Sequence, residues 1–145
     1  MPEITLRTLD QERAKFAVEK IESIKNDSNF NNQEFLKKYK ARAKDFQAYV
    51  REDLLQGLTF FFSKINGKDQ SYKVFLEHIT EWFKKAATES NLQIIFSPDV
   101  NLEEPLDLIK HIQGLDVDQY LHATQESLAI GGWFKRFADA LIEGE

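Results

Sequence analysis

Three histidines are the residues of this sequence best suited to bind a metal ion or to exchange protons near neutral pH, and they are His78, His111 and His122. A di-iron site in a helical bundle requires a Glu three residues before a ligating His on each of two facing helices. None of the three histidines follows a Glu at that spacing. We therefore expect the histidines at the surface or rim of the protein. His122 and Glu126 are one turn apart, which is compatible with a surface pair on one helix.

The sequence also lacks the short motifs that carry hydrolytic and nucleotide chemistry. It contains no His-Glu-x-x-His zinc motif, no Gly-x-Ser-x-Gly nucleophile turn and no glycine-rich phosphate loop. Gly131 and Gly132 fall inside a predicted helix, and Glu103 and Glu104 fall in a predicted loop without apolar surroundings. We expect no catalytic residue, cofactor or metal, and a protein that is not an enzyme. A helical bundle that binds a small molecule or a metal ion stays open as an alternative function, ranked third after the two given below.

Four cations of one predicted helix share a side of that helix. On a helical wheel with about 100° per residue they fall within about 60° of one another. They are Lys37, Lys40, Lys44 and Arg51. The acidic residues of the same helix fall on a different side: Glu34, Asp45 and Glu52. A helix face with one sign of charge can follow a phosphate backbone, and the plain alternative is an ordinary solvated face.

The composition of the 145 residues is that of a folded protein, and we take residues 1–145 as one domain. Hydrophobic residues make up 42% and include 12 Phe, which favours a core of aromatic rings. The formal net charge is −5, so any contact with nucleic acid must use a local basic patch. Cysteine is absent, which excludes disulfides and Cys-based zinc sites and is compatible with a reducing cytoplasm.

Neither a targeting segment nor a membrane segment is expected. Residues 1–10 lack the basic start and the apolar run of a signal peptide. The longest apolar run is too short to cross a bilayer. We therefore expect a cytoplasmic protein with no membrane partner.

Hydrophobic periodicity predicts an all-α fold, a compact bundle of about five to six helices. Thr8 with Gln11 forms a capping-box pattern, and Asp116 begins a second one. The stretch LLQGLTFFFSKI at residues 54–65 is apolar almost all round, which predicts a buried central helix. Residues 91–104 are expected to be a connection. The predicted helices begin near Thr8, Gln33, Leu54, Ser71, Pro105 and Asp116, and the last one runs to about Leu141.

The last predicted helix contains the segment GGWFKRFADAL at residues 131–141. A glycine inside a helix costs about 1 kcal/mol relative to Ala, so we expect Gly131 and Gly132 to let this helix approach a neighbour closely. Trp133 and Phe137, one turn apart, are expected to lie in the core. The residues expected to face outward, within reach of one another, are Lys135, Arg136 and Asp139.

Three stretches of the chain resemble one known family: LDQERAKFAVEKI at residues 9–21, YKARAKDFQAYVREDLLQGLTFFF at 39–62 and SLAIGGWFKRFADAL at 127–141. Together, and in this order, they resemble the small α-helical subunit of the Cmr-type (type III-B) CRISPR effector complex. The sequence departs from the family pattern at Gln47, where a proline is common, and at Gly131 and Gly132, which replace bulkier residues.

The resemblance implies a non-catalytic protein of antiviral defence. In that family several copies of a helical bundle stack head to tail along an RNA-guided complex and line the groove that holds the guide–target duplex. The expected partners are other Cmr-complex subunits, further copies of this chain, CRISPR RNA and target RNA. The residues expected at the RNA-contact or assembly surface are Lys37, Lys40, Lys44, Arg51, Lys135 and Arg136.

The residues alone leave alternatives to this interpretation. A helical adaptor that binds only proteins, without RNA contact, would use the same surface stripes. Lys135 and Arg136 can be surface charges without a partner, and Arg13 can pair with a carboxylate rather than bind RNA.

Overall fold

The computed structural model of the protein describes residues 8–89, 96 and 100–143. These residues contain no strand, so the predicted all-α bundle is confirmed. None of the described helices combines the length and the apolar character needed to cross a bilayer. Most of the expected connection at residues 91–104 lies outside the described residues. The helices are α1 (Leu9–Lys25), α2 (Gln33–Glu52), α3 (Leu54–Ser63), α4 (Ser71–Glu89), α5 (Pro105–Gln113) and α6 (Val117–Leu141).

A capping box marks the starts of α1 and α6, and a first-turn proline marks the start of α5. The Thr8 side chain accepts a hydrogen bond from the backbone N–H of Gln11 at 3.0 Å, and the Gln11 side chain accepts from the N–H of Thr8 at 2.8 Å. Asp116 and Gln119 form the same reciprocal pair before α6. Pro105 occupies the first turn of α5, where a backbone N–H has no partner within the helix. The predicted starts of α1, α5 and α6 are therefore confirmed.

Helix α6 lies between α1 and α2 and makes its most extensive contacts with these two helices. The side chain of Gln47 in α2 donates to the carbonyl of Leu128 at 2.8 Å. Lys40, which lies earlier in α2, donates to the carbonyl of Ile142 just beyond the end of α6, at 3.0 Å. The two helices therefore run antiparallel.

Aromatic rings fill the space between α2, α4 and α6. Phe46, Phe75 and Phe134 are fully buried. The ring centroid of Phe75 is 5.2 Å from that of Phe46 and 5.5 Å from that of Phe134, in edge-to-face contacts. Trp133 and Phe137 lie only partly buried at the edge of this core. The prediction that these two rings lie in the core is therefore wrong, and the neighbouring ring of Phe134 occupies that position.

Helix α3 buries one face only. Leu54, Leu58 and Phe61 are fully buried, whereas Gln56 and Thr59 are exposed. The prediction of a central helix buried all round is therefore wrong. The physical reason is that α2, α4 and α5 cover most of one side of α3 and leave the other side open.

Gly131 and Gly132 mark the close approach of α6 to α2. A Cβ atom at Gly131 would lie 2.9 Å from Cδ2 of the buried Phe46 ring, and one at Gly132 would lie 3.1 Å from Nε2 of Gln47. The prediction that the glycines permit a close helix–helix contact is confirmed. Gln47 stands where a proline is common in the family, yet α2 is one continuous helix through this position.

We expect Gly131→Ala and Gly132→Ala to change stability in opposite directions. The new methyl group at Gly131 would press on a buried ring, and the overpacking exceeds the gain in helix propensity, for a net loss of up to about 2 kcal/mol. The methyl group at Gly132 would meet only the amide end of Gln47, which needs to shift by a few tenths of an ångström against its hydrogen bond to Leu128, so the propensity gain exceeds the cost and stability rises by less than about 1 kcal/mol. Urea unfolding followed by circular dichroism measures both changes. Equal effects at the two positions would contradict these contacts.

Candidate functional site

Three cations form a free row along α2. Lys37, Lys44 and Arg51 are exposed and form no ion pair with another described residue. They are spaced at seven residues, so successive side chains begin about 10 Å apart on one side of the helix. Helix α2 is continuous from Gln33 to Glu52, so all three side chains belong to one uninterrupted helix.

Two other cations of α2, Lys38 and Arg42, interact with neighbouring side chains. The ammonium of Lys38 is 3.3 Å from a carboxylate oxygen of Glu34. The guanidinium of Arg42 lies 4.2 Å from the ring centroid of Tyr72 and also pairs with Asp45 at 3.6 Å. The charges of Lys38 and Arg42 are therefore engaged within the chain. The row of Lys37, Lys44 and Arg51 carries charge that is available to an external partner.

Lys40 adjoins the row but is tied to α6. Its ammonium donates to the carbonyl of Ile142 at 3.0 Å, and Lys25 of α1 donates to the carbonyl of Leu141 at 2.6 Å. The last carbonyls of a helix have no partner within the helix and form the negative end of its dipole, so cations stabilise them. Lys40 therefore holds the end of α6 against α2, and this contact reduces the charge that it offers to solvent.

The cations of α2 and α6 lie on adjoining surfaces. Gln47 marks the outer side of the α2–α6 seam, where it contacts Gly132. Because the two helices are antiparallel, Lys135, one turn beyond Gly131, is level with the turn of α2 that carries Lys44. Lys135 is partly buried and forms no ion pair in the described part of the chain. We call the combined surface the basic face, and it consists of Lys37, Lys44, Arg51 and Lys135.

Arg136 lies outside the basic face, in a cluster at the seam of α1 and α6. Its guanidinium lies over the indole of Trp133, 5.3 Å from the ring centroid. The indole N–H donates to Oδ1 of Asp10 at 2.8 Å, and Nη1 of Arg13 donates to the same oxygen at 3.1 Å. The hydrogen bond from Trp133, together with the charges of Arg13 and Arg136, lowers the pKa of Asp10. Arg136 is therefore exposed but shares its charge with a carboxylate of the same chain.

A buried ion pair joins α1, α4 and α6. Glu126, which is 4% exposed, accepts from Nε and Nη2 of Arg13 at 2.7 and 2.5 Å. It also accepts from the indole N–H of Trp82 at 2.9 Å. The hydrogen bond to Glu126 raises the pKa of Arg13. The alternative that Arg13 pairs with a carboxylate is confirmed. The surface pair of His122 with Glu126 that the spacing would allow does not form, because Glu126 faces the core.

The histidines occupy three different environments. His78 is buried, its Nδ1 lies 2.7 Å from the hydroxyl oxygen of Tyr39, and burial lowers its pKa to about 3, so the ring is neutral at pH 7. His111 is partly buried, which lowers its pKa, and His122 is exposed. The surface prediction is therefore wrong for His78. No cluster of His, Cys, Asp and Glu side chains that could hold a metal ion occurs among the described residues.

The corner between α2 and α3 contains an open groove of about 510 Å³. The rings of Tyr49 and Phe60 line it and stack on each other, with a centroid distance of 4.6 Å. Gly57 permits this tight corner, because a Cβ there would lie 3.2 Å from Cβ of Tyr49. No sequence pattern predicts the groove, because its walls come from two helices whose relative angle no periodicity reveals. The lining residues are Ala48, Tyr49, Glu52, Gln56, Gly57 and Phe60.

Comparison with known proteins identifies a family and a shared fold. The family described as CRISPR-associated protein (Cas_Cmr5) matches residues 9–141, a range that includes every helix among the described residues. Among solved structures, the chain is similar to the crystal structure of a CRISPR-associated Cmr5 family protein from Thermus thermophilus. That match has a TM-score of 0.68 and 23% sequence identity, and it covers 94% of this chain and 100% of the other. At this identity the structural likeness shows a common fold.

Proposed function

This chain belongs to the CRISPR-associated Cas_Cmr5 family, and from that premise we propose that it is a non-catalytic small subunit of the Cmr-type (type III-B) RNA-guided complex that targets RNA in antiviral defence. Family membership confirms the resemblance noted in the sequence and implies association with other Cmr-complex subunits. In the proposed role the basic face contacts the backbone of the guide and target RNA, and further copies of the chain stack alongside.

The observation that carries this proposal is the free row of Lys37, Lys44 and Arg51 on a chain whose formal net charge is −5. A local row of one sign attracts phosphates even when the whole molecule is acidic. In an RNA-guided complex base pairing reads the sequence, so the protein needs only to contact the backbone. Side chains about 10 Å apart on a rigid helix are suited to such contacts.

Replacing Lys37, Lys44 and Arg51 together with Gln tests the RNA contact. We expect the slope of log K against log salt for a short RNA duplex to fall by about three units, one for each lost phosphate contact. Affinity at low salt should fall by about tenfold or more. Fluorescence anisotropy over a salt series measures both quantities. Because all three side chains are exposed, the unfolding midpoint should change little.

The matched control is the triple replacement of Lys15, Lys73 and Lys110 with Gln. These residues are exposed on α1, α4 and α5, and the replacement changes the net charge by the same amount. We expect this control to retain most of the RNA affinity. Equal losses in the two triple variants would assign the binding to overall charge. Absence of RNA binding at low salt would instead favour the helical adaptor that binds only proteins.

A further inference from the structure

The groove at the α2–α3 corner combines an exposed aromatic ring with one unpaired carboxylate. Tyr49 is 39% exposed, and Glu52 follows it by three residues on the same helix, so both side chains line the groove about one turn apart. Glu52 is the only charged residue in the lining. It is exposed and forms no ion pair with another described residue. The groove therefore presents an aromatic ring and an unpaired negative charge to other molecules.

Elsewhere in this protein, an aromatic ring and a carboxylate together hold a cation. The guanidinium of Arg42 lies 4.2 Å from the ring centroid of Tyr72 and pairs with Asp45 at 3.6 Å. In two further places a cation lies 5.3 Å from a ring centroid and interacts with a carboxylate: Lys20 with Phe16 and Glu81, and Arg136 with Trp133 and Asp10. The ring and the carboxylate in the groove match this arrangement but lack the cation.

The second ring of the groove already attracts a cation of the same chain. The ammonium of Lys64 lies 5.3 Å from the ring centroid of Phe60, whose ring stacks on that of Tyr49. Lys64 forms no ion pair with Glu52 or with any other described residue, so the carboxylate stays unpaired. The lysine therefore shows that the rings of this groove bind positive charge, and it leaves Tyr49 and Glu52 available to a cation from another molecule.

We propose that the groove is a docking site for an arginine side chain of another protein, whose guanidinium binds the Tyr49 ring and the Glu52 carboxylate together. Arginine suits the groove better than lysine, because its planar and weakly hydrated guanidinium stacks on a ring and pairs with a carboxylate at the same time. A phosphate group is disfavoured, because Glu52 repels it. The inference goes beyond the proposed function and does not rest on it, since the groove uses no residue of the basic face.

Titration of the full chain with short blocked peptides tests the docking of an arginine. The probe peptide carries one arginine between two leucines, and its analogue carries citrulline, which keeps the shape of the side chain but lacks the charge. Two-dimensional NMR of the isotope-labelled protein should show amide shifts centred on Tyr49, Glu52 and Gln56. We expect the arginine peptide to bind about fivefold more tightly than the citrulline peptide, because an exposed ion pair and an exposed cation–π contact each contribute modestly.

Glu52→Gln removes the carboxylate of the groove, and Glu22→Gln is its matched control. Both residues are exposed, so both variants should fold, and each replacement removes one negative charge. Glu22 lies on α1, outside the groove. We expect Glu52→Gln to reduce the preference for the arginine peptide to less than about twofold and Glu22→Gln to leave it unchanged. Equal effects of the two variants overturn the proposal, because they assign the binding to overall charge.

The other outcomes of the titration also decide the proposal. Equal affinity for the arginine and citrulline peptides, shifts centred outside the groove, or no binding of either peptide overturns it. Larger shifts of Tyr49 and Glu52 with guanosine monophosphate than with the arginine peptide assign the groove to a nucleobase instead. Shifts that grow with protein concentration in the absence of peptide assign it to a second copy of the chain. The RNA affinity of the basic face is measured on different variants, so failure of the peptide titration contradicts this inference alone.

Discussion

Replacing Glu126 with Ala should lower the free energy of unfolding by about 3–5 kcal/mol. The carboxylate accepts two hydrogen bonds from Arg13 and one from the Trp82 indole, at distances between 2.5 and 2.9 Å. Its removal leaves a guanidinium with 15% exposure without its main counter-charge, and the indole N–H loses its acceptor. Denaturant unfolding followed by tryptophan fluorescence and circular dichroism measures the change.

A double variant separates the lost pair from a general loss of packing. In Arg13→Met with Glu126→Leu, no charge stays buried, and apolar side chains fill similar space. We expect the double variant to be more stable than Glu126→Ala by at least about 2 kcal/mol, because replacing both partners is far less costly than removing one. If the separate losses of Arg13→Met and Glu126→Leu added up to the loss of the double variant, the two residues would act independently.

The sequence predicts most of this fold because the relevant signals are local. The capping pair of Thr8 and Gln11 lies within one turn, and the chain between these residues needs no distant partner to form it. The row from Lys37 to Arg51 likewise depends only on the period of one helix. Both features survive in the folded structure, except that Lys40 of the predicted row is drawn to the end of α6 by a tertiary contact.

The features that sequence reasoning missed depend on partners far along the chain. Glu126 is 113 residues from Arg13, and only the packing of α1 against α6 brings them together. One local signal was present, since Glu126 falls between Ala123 and Ile130 on the buried stripe of α6. No local signal in the sequence predicts the contact of Lys40 with the end of α6. Its partner is the backbone carbonyl of Ile142, an acceptor that every residue carries and that no pattern of side chains reveals.

Phe134→Ala should destabilise the protein by about 3–5 kcal/mol, because a fully buried ring leaves a cavity that the surrounding helices cannot close. The ring centroid of Phe134 lies 5.5 Å from that of Phe75, 6.0 Å from the His78 ring and 6.2 Å from that of Phe16. Its loss therefore loosens α1, α4 and α6 at once. Urea unfolding followed by circular dichroism gives the size of the effect.

Trp133→Ala is the matched control for Phe134→Ala, because it removes a neighbouring ring about 100° further around the same helix. Trp133 is partly buried, and its N–H binds the exposed Asp10, so we expect a loss of only about 1–2 kcal/mol. A larger loss for Trp133→Ala than for Phe134→Ala would reverse the assignment of core and edge. Comparing the stability losses of the two variants therefore shows which side of α6 faces the core. The same comparison fixes the side of α6 on which Lys135 lies, next to the basic face.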